Sequence, residues 1–230
     1  MIRHGVAASR RGAPAPSGIE VNDLGVFERN SAGQSMTFDV DLTGYGAGDI
    51  VYILATGNSF MGTSTTVGGD AATVQAASSG ATGIRASIAE RVLAGAGGAA
   101  TTIFVDFSTS SASNRHYVRV VGVKGGTRTA LLTERILWSE IVDGVFSTSI
   151  TAPATPNAII AMSGRTTDSE PPTLVLTAPE ETIAYATESS PWRQASFGVA
   201  QNVTAGTYEI SGNASGGLAV VAIALEASSV

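Results

Sequence analysis

The sequence predicts an all-β protein, an antiparallel β-sandwich of jelly-roll character, from three observations. Apolar residues recur at every second position in several short segments. Gly, Pro, Ser and Asn separate these segments at spacings typical of sandwiches. Residues 49–125 resemble residues 157–227, which indicates an internal pseudo-repeat or two segments that converge on one β pattern. The matched stretches are Ala86–Ile88 with Ala195–Phe197, Val105–Ser108 with Glu209–Gly212, and Tyr117–Val123 with Leu218–Leu225.

The predicted strands can be followed along the chain. In "SMTFDVDL" (35–42) the residues Met36, Phe38, Val40 and Leu42 share one face, as in a half-buried strand. "DIVYILAT" (49–56) is apolar throughout and suits a buried strand. "IVYIL", "YVRVVGV" and "LAVVAIAL" are predicted to be central strands. Further strands are predicted at 101–108, 116–123, 149–152, 157–164, 173–178, 182–187, 195–200, 206–212 and 217–227.

Two segments contain helical signals. Residues 129–142, "TALLTERILWSEIV", are predicted to form a helix, because Leu131, Leu132, Ile136 and Ile141 follow an imperfect helical stripe. "ATGIRASIAERVLAGAG" (81–97) could also hold a short helix, but the pseudo-repeat favours a strand over "RASIAERVL" (85–93).

These elements predict four regions. They are an extended N-terminal arm (1–18), a first β half (19–128), a linking segment (129–156) and a second β half (157–230). Because the linking segment is apolar rather than a polar linker, both halves are expected to share one sandwich. Two tandem sandwiches are the alternative.

The N-terminal arm is basic and contains no acid before Glu20. Its positive charges are Arg3, Arg10 and Arg11, and its two prolines oppose regular structure. We expect either a disordered tail or an arm that becomes ordered on a neighbouring subunit, which would supply the burial that the arm lacks.

Composition narrows the classes of function. The formal charge of −6 argues against binding of nucleic acid by the whole domain. The chain has no cysteine, so it can form no disulfide and no thiolate zinc site. It has no apolar run of about 18 residues for a membrane span, and its first residues are not those of a secretory signal.

No catalytic motif stands out. The Gly-rich stretches contain no phosphate-binding loop. His116 with an acid such as Asp106 and a serine could form a catalytic group, but no nucleophile-elbow motif supports it, and hydrogen bonding at a strand end is the simpler interpretation. Asp39, Asp41 and Asp49 could bind calcium, but no regular calcium loop is present. We therefore predict no cofactor, no metal and no enzymatic activity.

Trp192 and Arg193 form a candidate binding pair. They lie in "ESSPWRQ", where a proline favours a loop. An exposed Trp beside an Arg can stack on a sugar or anchor a protein contact, because both residue types are enriched at interface hot spots. The alternative is a tryptophan that covers one end of the sandwich. The predicted partner-binding residues are thus Arg3, Arg10, Arg11, Trp192 and Arg193.

The segments "TTVGGDAATVQAAS", "RASIAERVLAGAGGAATTIFVDFS", "HYVRVVGVKG" and "AGTYEISGNASGGLAVVAIALEA" resemble jelly-roll-like β-sandwich virion proteins of tailed phages and gene-transfer-agent-like particles. The resemblance covers roughly residues 48–227. It implies a structural subunit located in the virion and assembled in the bacterial cytoplasm, as a head decoration, fibre or tail component. The implied partners are capsid or tail subunits and further copies of the chain, with host-surface glycans as a further candidate.

The runner-up hypothesis is a carbohydrate-binding or adhesin-like β-sandwich module, because jelly rolls also present sugar sites on loops or a concave face. Glycan binding by the isolated chain would favour that module, whereas stoichiometric presence in a particle would favour the structural subunit.

Overall fold

The computed structural model describes most of the chain. It covers residues 18–29, 34–57, 59, 61–77, 85–107, 116–136, 140, 142–152, 157–165, 175–177, 182–184, 187–189, 194–213 and 217–228. The strands of these residues are β1 (Glu20–Arg29), β2 (Ser35–Val40), β3 (Ile50–Gly57), β4 (Thr66–Val67), β5 (Asp70–Ala71), β6 (Thr73–Ala77), β7 (Arg85–Val92), β8 (Thr101–Asp106), β9 (His116–Lys124), β10 (Gly126–Ile136), β11 (Val145–Ala152), β12 (Asn157–Arg165), β13 (Val175–Thr177), β14 (Thr182–Ala184), β15 (Thr187–Ser189), β16 (Gln194–Val203), β17 (Gly206–Asn213) and β18 (Leu218–Ala227).

The strands form four antiparallel sheets, two from each half of the chain. The first half gives the sheets β1-β9-β3-β7-β6 and β2-β8-β4-β5. With β6 regarded as an added edge strand, this is the strand order of a jelly roll, in which two four-stranded sheets exchange strands through Greek-key connections. The predicted all-β, jelly-roll-like sandwich is therefore confirmed.

The second half repeats the same topology strand for strand. Its sheets are β10-β18-β12-β16-β15 and β11-β17-β13-β14, so adding nine to each strand number of the first half gives the second. Gly125, with φ +66°, makes the turn between the two units. The pseudo-repeat predicted from residues 49–125 and 157–227 is thus the visible part of a complete duplication.

The four sheets stack as four layers with three apolar cores between them. One core lies inside the first sandwich and includes Leu42, Ile53 and Ile103. A second core lies inside the second sandwich and includes Phe146, Ile159 and Ile210. The third lies between the two five-stranded sheets and joins residues of both halves, such as Tyr52, Val121, Ile160 and Val221. Each half thus has a core of its own, and the two halves share one more.

The position of a sheet in this stack explains the sequence pattern of its strands. Strands of the two inner sheets are covered on both faces, and every residue of β3 is buried. Strands of the outer sheets have one solvated face, so β11 and β17 alternate between buried and exposed positions. The predicted central strands, β3, β9 and β18, are all interior members of the five-stranded sheets.

Three further expectations can be compared with the structure. The helix predicted at 129–142 is wrong, because residues 129–136 belong to β10, an edge strand of the second sandwich. Residues 85–92 form a strand, as the pseudo-repeat favoured. The matched stretches are partly displaced by one residue: Val105 is buried and its proposed counterpart Glu209 is exposed, so Ile210 is the residue on the equivalent face.

Candidate assembly surfaces

The residues predicted to bind partners cannot be placed. Arg3, Arg10, Arg11, Trp192 and Arg193 all lie outside the described residues. Other residues form the surfaces that the structure describes: the contact between the sandwiches, the end of the molecule where Gly18 lies beside Gly125, and the faces and edges of the outer sheets.

The contact between the sandwiches contains an ion pair between a buried arginine and an exposed aspartate. Arg119 of β9 is only 6% exposed. Its guanidinium donates from Nε to Asp23 Oδ1 at 3.1 Å and from Nη2 to Asp23 Oδ2. The same guanidinium lies 4.0 Å from the ring centre of Phe197, which belongs to the second sandwich. A cation over an aromatic face is attracted by the ring, so this ion pair of the first sandwich also holds the second.

A second ion pair crosses the contact directly. Arg128 Nε of β10 donates to Glu90 Oε2 of β7 at 2.7 Å, and its Nη2 donates to Gln75 Oε1 at 3.1 Å. Tyr52 lies beside this group. Burial raises the pKa of the Tyr52 hydroxyl, and the neighbouring Glu90 carboxylate raises it further. The contact thus combines an apolar centre with polar groups that fix its alignment.

The two sandwiches contact each other in a nearly symmetric way. Strand β3 packs on its own counterpart β12, while β1 contacts β16 and β10 contacts β7. Since β10 and β16 are the counterparts of β1 and β7, these contacts indicate an approximate twofold axis near the β3–β12 crossing. At that crossing a β-carbon on Gly164 would stand 2.3 Å from Thr56 Oγ1, so the sheets approach closely because residue 164 has no side chain.

Both ends of the described chain lie at one end of the molecule. Ser228 N donates to Gly125 O at 2.9 Å, and the carbonyl of Gly18 also lies beside Gly125. Lys124, the single lysine of the sequence, lies 4.7 Å from the ring centre of Tyr45 and pairs with Glu20 at 3.6 Å. Burial raises the pKa of the Tyr45 hydroxyl. Gly18, where the described chain begins, therefore lies beside the turn that joins the two sandwiches.

The outer face of the β11–β17 sheet is lined by hydroxyl groups. Ser147, Ser149 and Thr151 of β11 point outward, opposite Ser211, Glu209 and Thr207 of β17. Ser147 Oγ donates to Glu209 Oε1 at 2.7 Å, and the hydroxyls of Thr151 and Thr207 are 3.1 Å apart. Such a face forms hydrogen bonds readily and contains one carboxylate on these two strands.

The outer face of the β2–β8 sheet has a different character. Phe104 of β8 is half-buried there, between Thr37 of β2 and Thr66 of β4. On the same face Asp39 Oδ1 accepts a hydrogen bond from Thr102 Oγ1 at 2.7 Å. An aromatic ring beside a carboxylate and hydroxyls is a combination that can stack on and hydrogen-bond to a sugar.

The predicted histidine is found beside a serine, but inside the core. Ser59 Oγ lies 3.1 Å from His116 Nε2, and the imidazole stacks on Phe107 with ring centres 3.6 Å apart. The exposed fractions are 3% for Ser59 and 0% for His116. A nucleophile and its base need hydrogen-bond contact, which this pair has, but the pair lies among core side chains rather than at a surface.

The carboxylates considered as calcium ligands act within local turns and pairs. Hydrogen bonds from the Thr43 side chain and from Thr43 N lower the pKa of Asp41, and the second of them reaches Asp41 Oδ1 at 2.8 Å. Asp49 Oδ2 accepts a hydrogen bond from Gly46 N at 2.7 Å. Among the residues that the structure describes, no group of three or more His, Asp or Glu side chains is arranged to hold a metal ion. The described part of the chain also has no helix long and apolar enough to cross a membrane.

Sequence reasoning missed the surface residues of the outer sheets. Phe104, Glu209 and the hydroxyls of β11 are conspicuous only once the strand pairs are known. The alternation in "VFSTSITA" was the available signal, since it puts Ser147, Ser149 and Thr151 on one face.

In comparisons with known proteins, no protein-family model matches the chain and no curated protein is significantly similar to it in sequence.

Proposed function

We propose that this protein is a non-enzymatic structural subunit of a phage or phage-like particle, a capsid decoration, fibre or tail component. The observation that supports this most is the duplicated jelly roll, two copies of one topology stacked through a shared core. Double-sheet jelly rolls are recurrent in viral capsids. The resemblance of residues 48–227 to virion proteins supports the same class.

The chemistry of the described residues also favours binding over catalysis. The two least exposed ion pairs of the described residues, Asp23–Arg119 and Glu90–Arg128, lie at the contact between the sandwiches. The one serine–histidine pair is buried in the core. The described outer sheets expose hydroxyls, isolated carboxylates and strand edges, which suit many weak contacts.

The proposed mechanism is assembly through multiple contacts. The basic arm, with Arg3, Arg10 and Arg11, would dock on a neighbouring capsid or tail subunit or on another copy of the chain. Weak contacts of this kind become strong when many copies engage a particle together. The proposed location is accordingly the virion, with assembly in the bacterial cytoplasm.

The test is to purify particles from the producing cells and to quantify this chain by mass spectrometry. Stoichiometric copies support the proposal, and absence from particles would refute it. A variant lacking residues 1–17 should keep the melting temperature of the parent and lose incorporation. The deletion stops before Gly18 because Ile19 is buried against the turn at Gly126.

A carbohydrate-binding module is the second candidate, and Phe104 is the observation that favours it. The ring lies on an outer sheet face with Thr37, Thr66 and the Asp39–Thr102 pair around it. Glycan-array binding by the isolated protein that is lost in Phe104→Ala would favour this function. A matched change on the other outer face, Glu209→Ala, should leave such binding intact.

A further inference from the structure

Strand β11 is an outer edge that lacks the usual protection against pairing. It lies at the end of the sheet β11-β17-β13-β14, and its register with β17 runs unbroken from Val145–Asn213 to Ala152–Gly206. Its eight residues, "VFSTSITA", include no charge, no proline and no glycine. Its first residue, Val145, pairs with Val142 through two backbone hydrogen bonds. Beyond that residue, an edge strand of this kind presents backbone donors and acceptors and is a template for another strand.

The other long edge strands of the described chain are protected. Strands β1 and β10 each contain a bulge, between Asp23 and Gly25 and between Arg128 and Ala130. Strand β2, the counterpart of β11 in the first sandwich, is six residues long and presents the exposed carboxylate of Asp39. Bulges and edge charges both oppose strand addition. The same topological position thus carries a charge in one sandwich and none in the other.

We propose that β11 pairs antiparallel with β11 of a second copy of this chain, which joins two four-stranded sheets into one of eight strands. The strand is self-complementary about Thr148. In that register Phe146 lies opposite Ile150 of the other copy, and Ser147 lies opposite Ser149. Apolar side chains meet on the core side of the sheet and hydroxyls meet on the outer side, as stable cross-strand pairs require.

On the outer face of the sheet, charge does not oppose this pairing, although the chain carries a formal charge of −6. On the core side the Glu134 carboxylate of β10 accepts a hydrogen bond from Thr148 Oγ1, which neutralises none of its charge but holds it within its own subunit. The nearest carboxylate on the outer face is Glu209 of β17. In the joined sheet the two Glu209 residues would be separated by three strand spacings, about 14 Å. This exceeds the screening length of about 8 Å at physiological ionic strength, so their repulsion is largely screened. This inference rests on the proposed function, because it gives assembly a contact between identical subunits.

Sedimentation velocity of the full chain over a range of concentrations tests the proposal. We expect a monomer–dimer equilibrium that Ser149→Lys weakens by about tenfold or more, because it places a charge at the edge. Thr37→Lys is the matched control, an exposed outward position on β2, and it should leave the equilibrium unchanged. Equal effects of the two substitutions, or a parent that is monomeric at all concentrations, would overturn the proposal.

Disulfide trapping gives a second test that does not depend on affinity. The chain has no cysteine, so Ser147→Cys/Ser149→Cys should form covalent dimers under mild oxidation, whereas Thr37→Cys/Asp39→Cys should not. Directly opposed residues of antiparallel strands lie within the Cα separation that a disulfide needs. Trapping by β11 in a protein absent from particles would refute the proposed function alone. A particle-borne protein that shows no trapping and no dimer would refute this inference alone.

Discussion

Replacing Gly164 by alanine is expected to destabilise the protein through a single contact between the two sandwiches. A β-carbon at this position would stand 2.3 Å from Thr56 Oγ1, 2.6 Å from Thr56 Cβ and 2.8 Å from Thr56 Cγ2. Real side chains do not approach so closely, so the five-stranded sheets must separate locally. Gly164 has no left-handed backbone, and the cost is therefore one of contact rather than of strain.

The expected magnitude follows from two opposing effects. Inserting a methyl group into a packed core costs about 1–3 kcal/mol. Replacing glycine by alanine within a strand regains about 0.5–1 kcal/mol of conformational entropy. The net loss in free energy of unfolding should be about 0.5–2 kcal/mol, a measurable share of a typical stability of about 5–15 kcal/mol.

Urea unfolding of a double-mutant cycle measures the contact itself. Thr56→Gly removes the three atoms nearest to the new methyl group, so Gly164→Ala should be much less destabilising in that background. The coupling energy should be about 1–3 kcal/mol. Gly122→Ala is the control, because its β-carbon would stand 2.4 Å from the Tyr45 hydroxyl oxygen, within the first sandwich. Thr56→Gly should not rescue it.

Additive effects of Gly164→Ala and Thr56→Gly would refute this description of the contact. So would an equal rescue of Gly122→Ala, since that result would mean that Thr56→Gly loosens the whole protein rather than one crossing.

Three further predictions concern the shared core. Val121→Asp or Val221→Asp should lower the free energy of unfolding by about 3–5 kcal/mol, because each buries an unpaired charge in the shared core. An unchanged melting temperature would contradict the placement of these strands. Arg128→Met should lower the free energy of unfolding by about 1–3 kcal/mol, because Glu90, whose side chain is 13% exposed, loses its partner. The control Arg91→Met breaks the pair with the exposed Asp70 and should lower it by less than about 1 kcal/mol in the same urea assay. Above pH 10 an unfolded tyrosine ionises while buried Tyr52 stays protonated, so stability should fall by about 1.4 kcal/mol per pH unit. Tyr52→Phe should flatten that slope between pH 10 and 12, and identical slopes would exclude this cause.

The apolar pattern within each predicted strand also indicates whether the strand lies in an inner or an outer sheet. Continuous apolar strands such as Ile50–Gly57 belong to sheets covered on both faces, and alternating strands such as Val145–Ala152 belong to sheets with a solvated face. The difference between the two patterns therefore indicates which strands are inner and which are outer. Reading it in this way would have predicted four layers instead of two.

Other features could not be read from the pattern, for physical reasons. Leu131 packs on the core between the sandwiches and Leu132 on the core of the second sandwich. Both faces of β10 are thus partly covered, and the bulge after Arg128 interrupts the alternation. Adjacent half-buried leucines then imitate a helical stripe. The outer surfaces could not be predicted from the sequence, because the residues beside Phe104 and Glu209 on those surfaces come from strands far away in sequence.

The duplication offers a way to separate residues that the fold requires from residues that serve another purpose. Arg119 pairs with Leu54 in the first sandwich, and Val221 pairs with Met162 in the second. Leu54 and Met162 occupy the same position in their two strands, so Val221 is the counterpart of Arg119. One jelly roll thus buries an arginine that pairs with an exposed aspartate where the other buries a valine, so the topology itself does not need the charge. Replacing buried ion pairs by apolar residues is often neutral or stabilising. The Asp23–Arg119–Phe197 group is then best understood as fixing how the two sandwiches align.

By the same reasoning, strands β2 and β11 occupy one position in two copies of a fold. That fold therefore does not require the charge of Asp39 in β2 or the absence of charge from β11. Differences between equivalent positions are therefore where selection for assembly would be recorded, and the unprotected edge of β11 is the clearest of them.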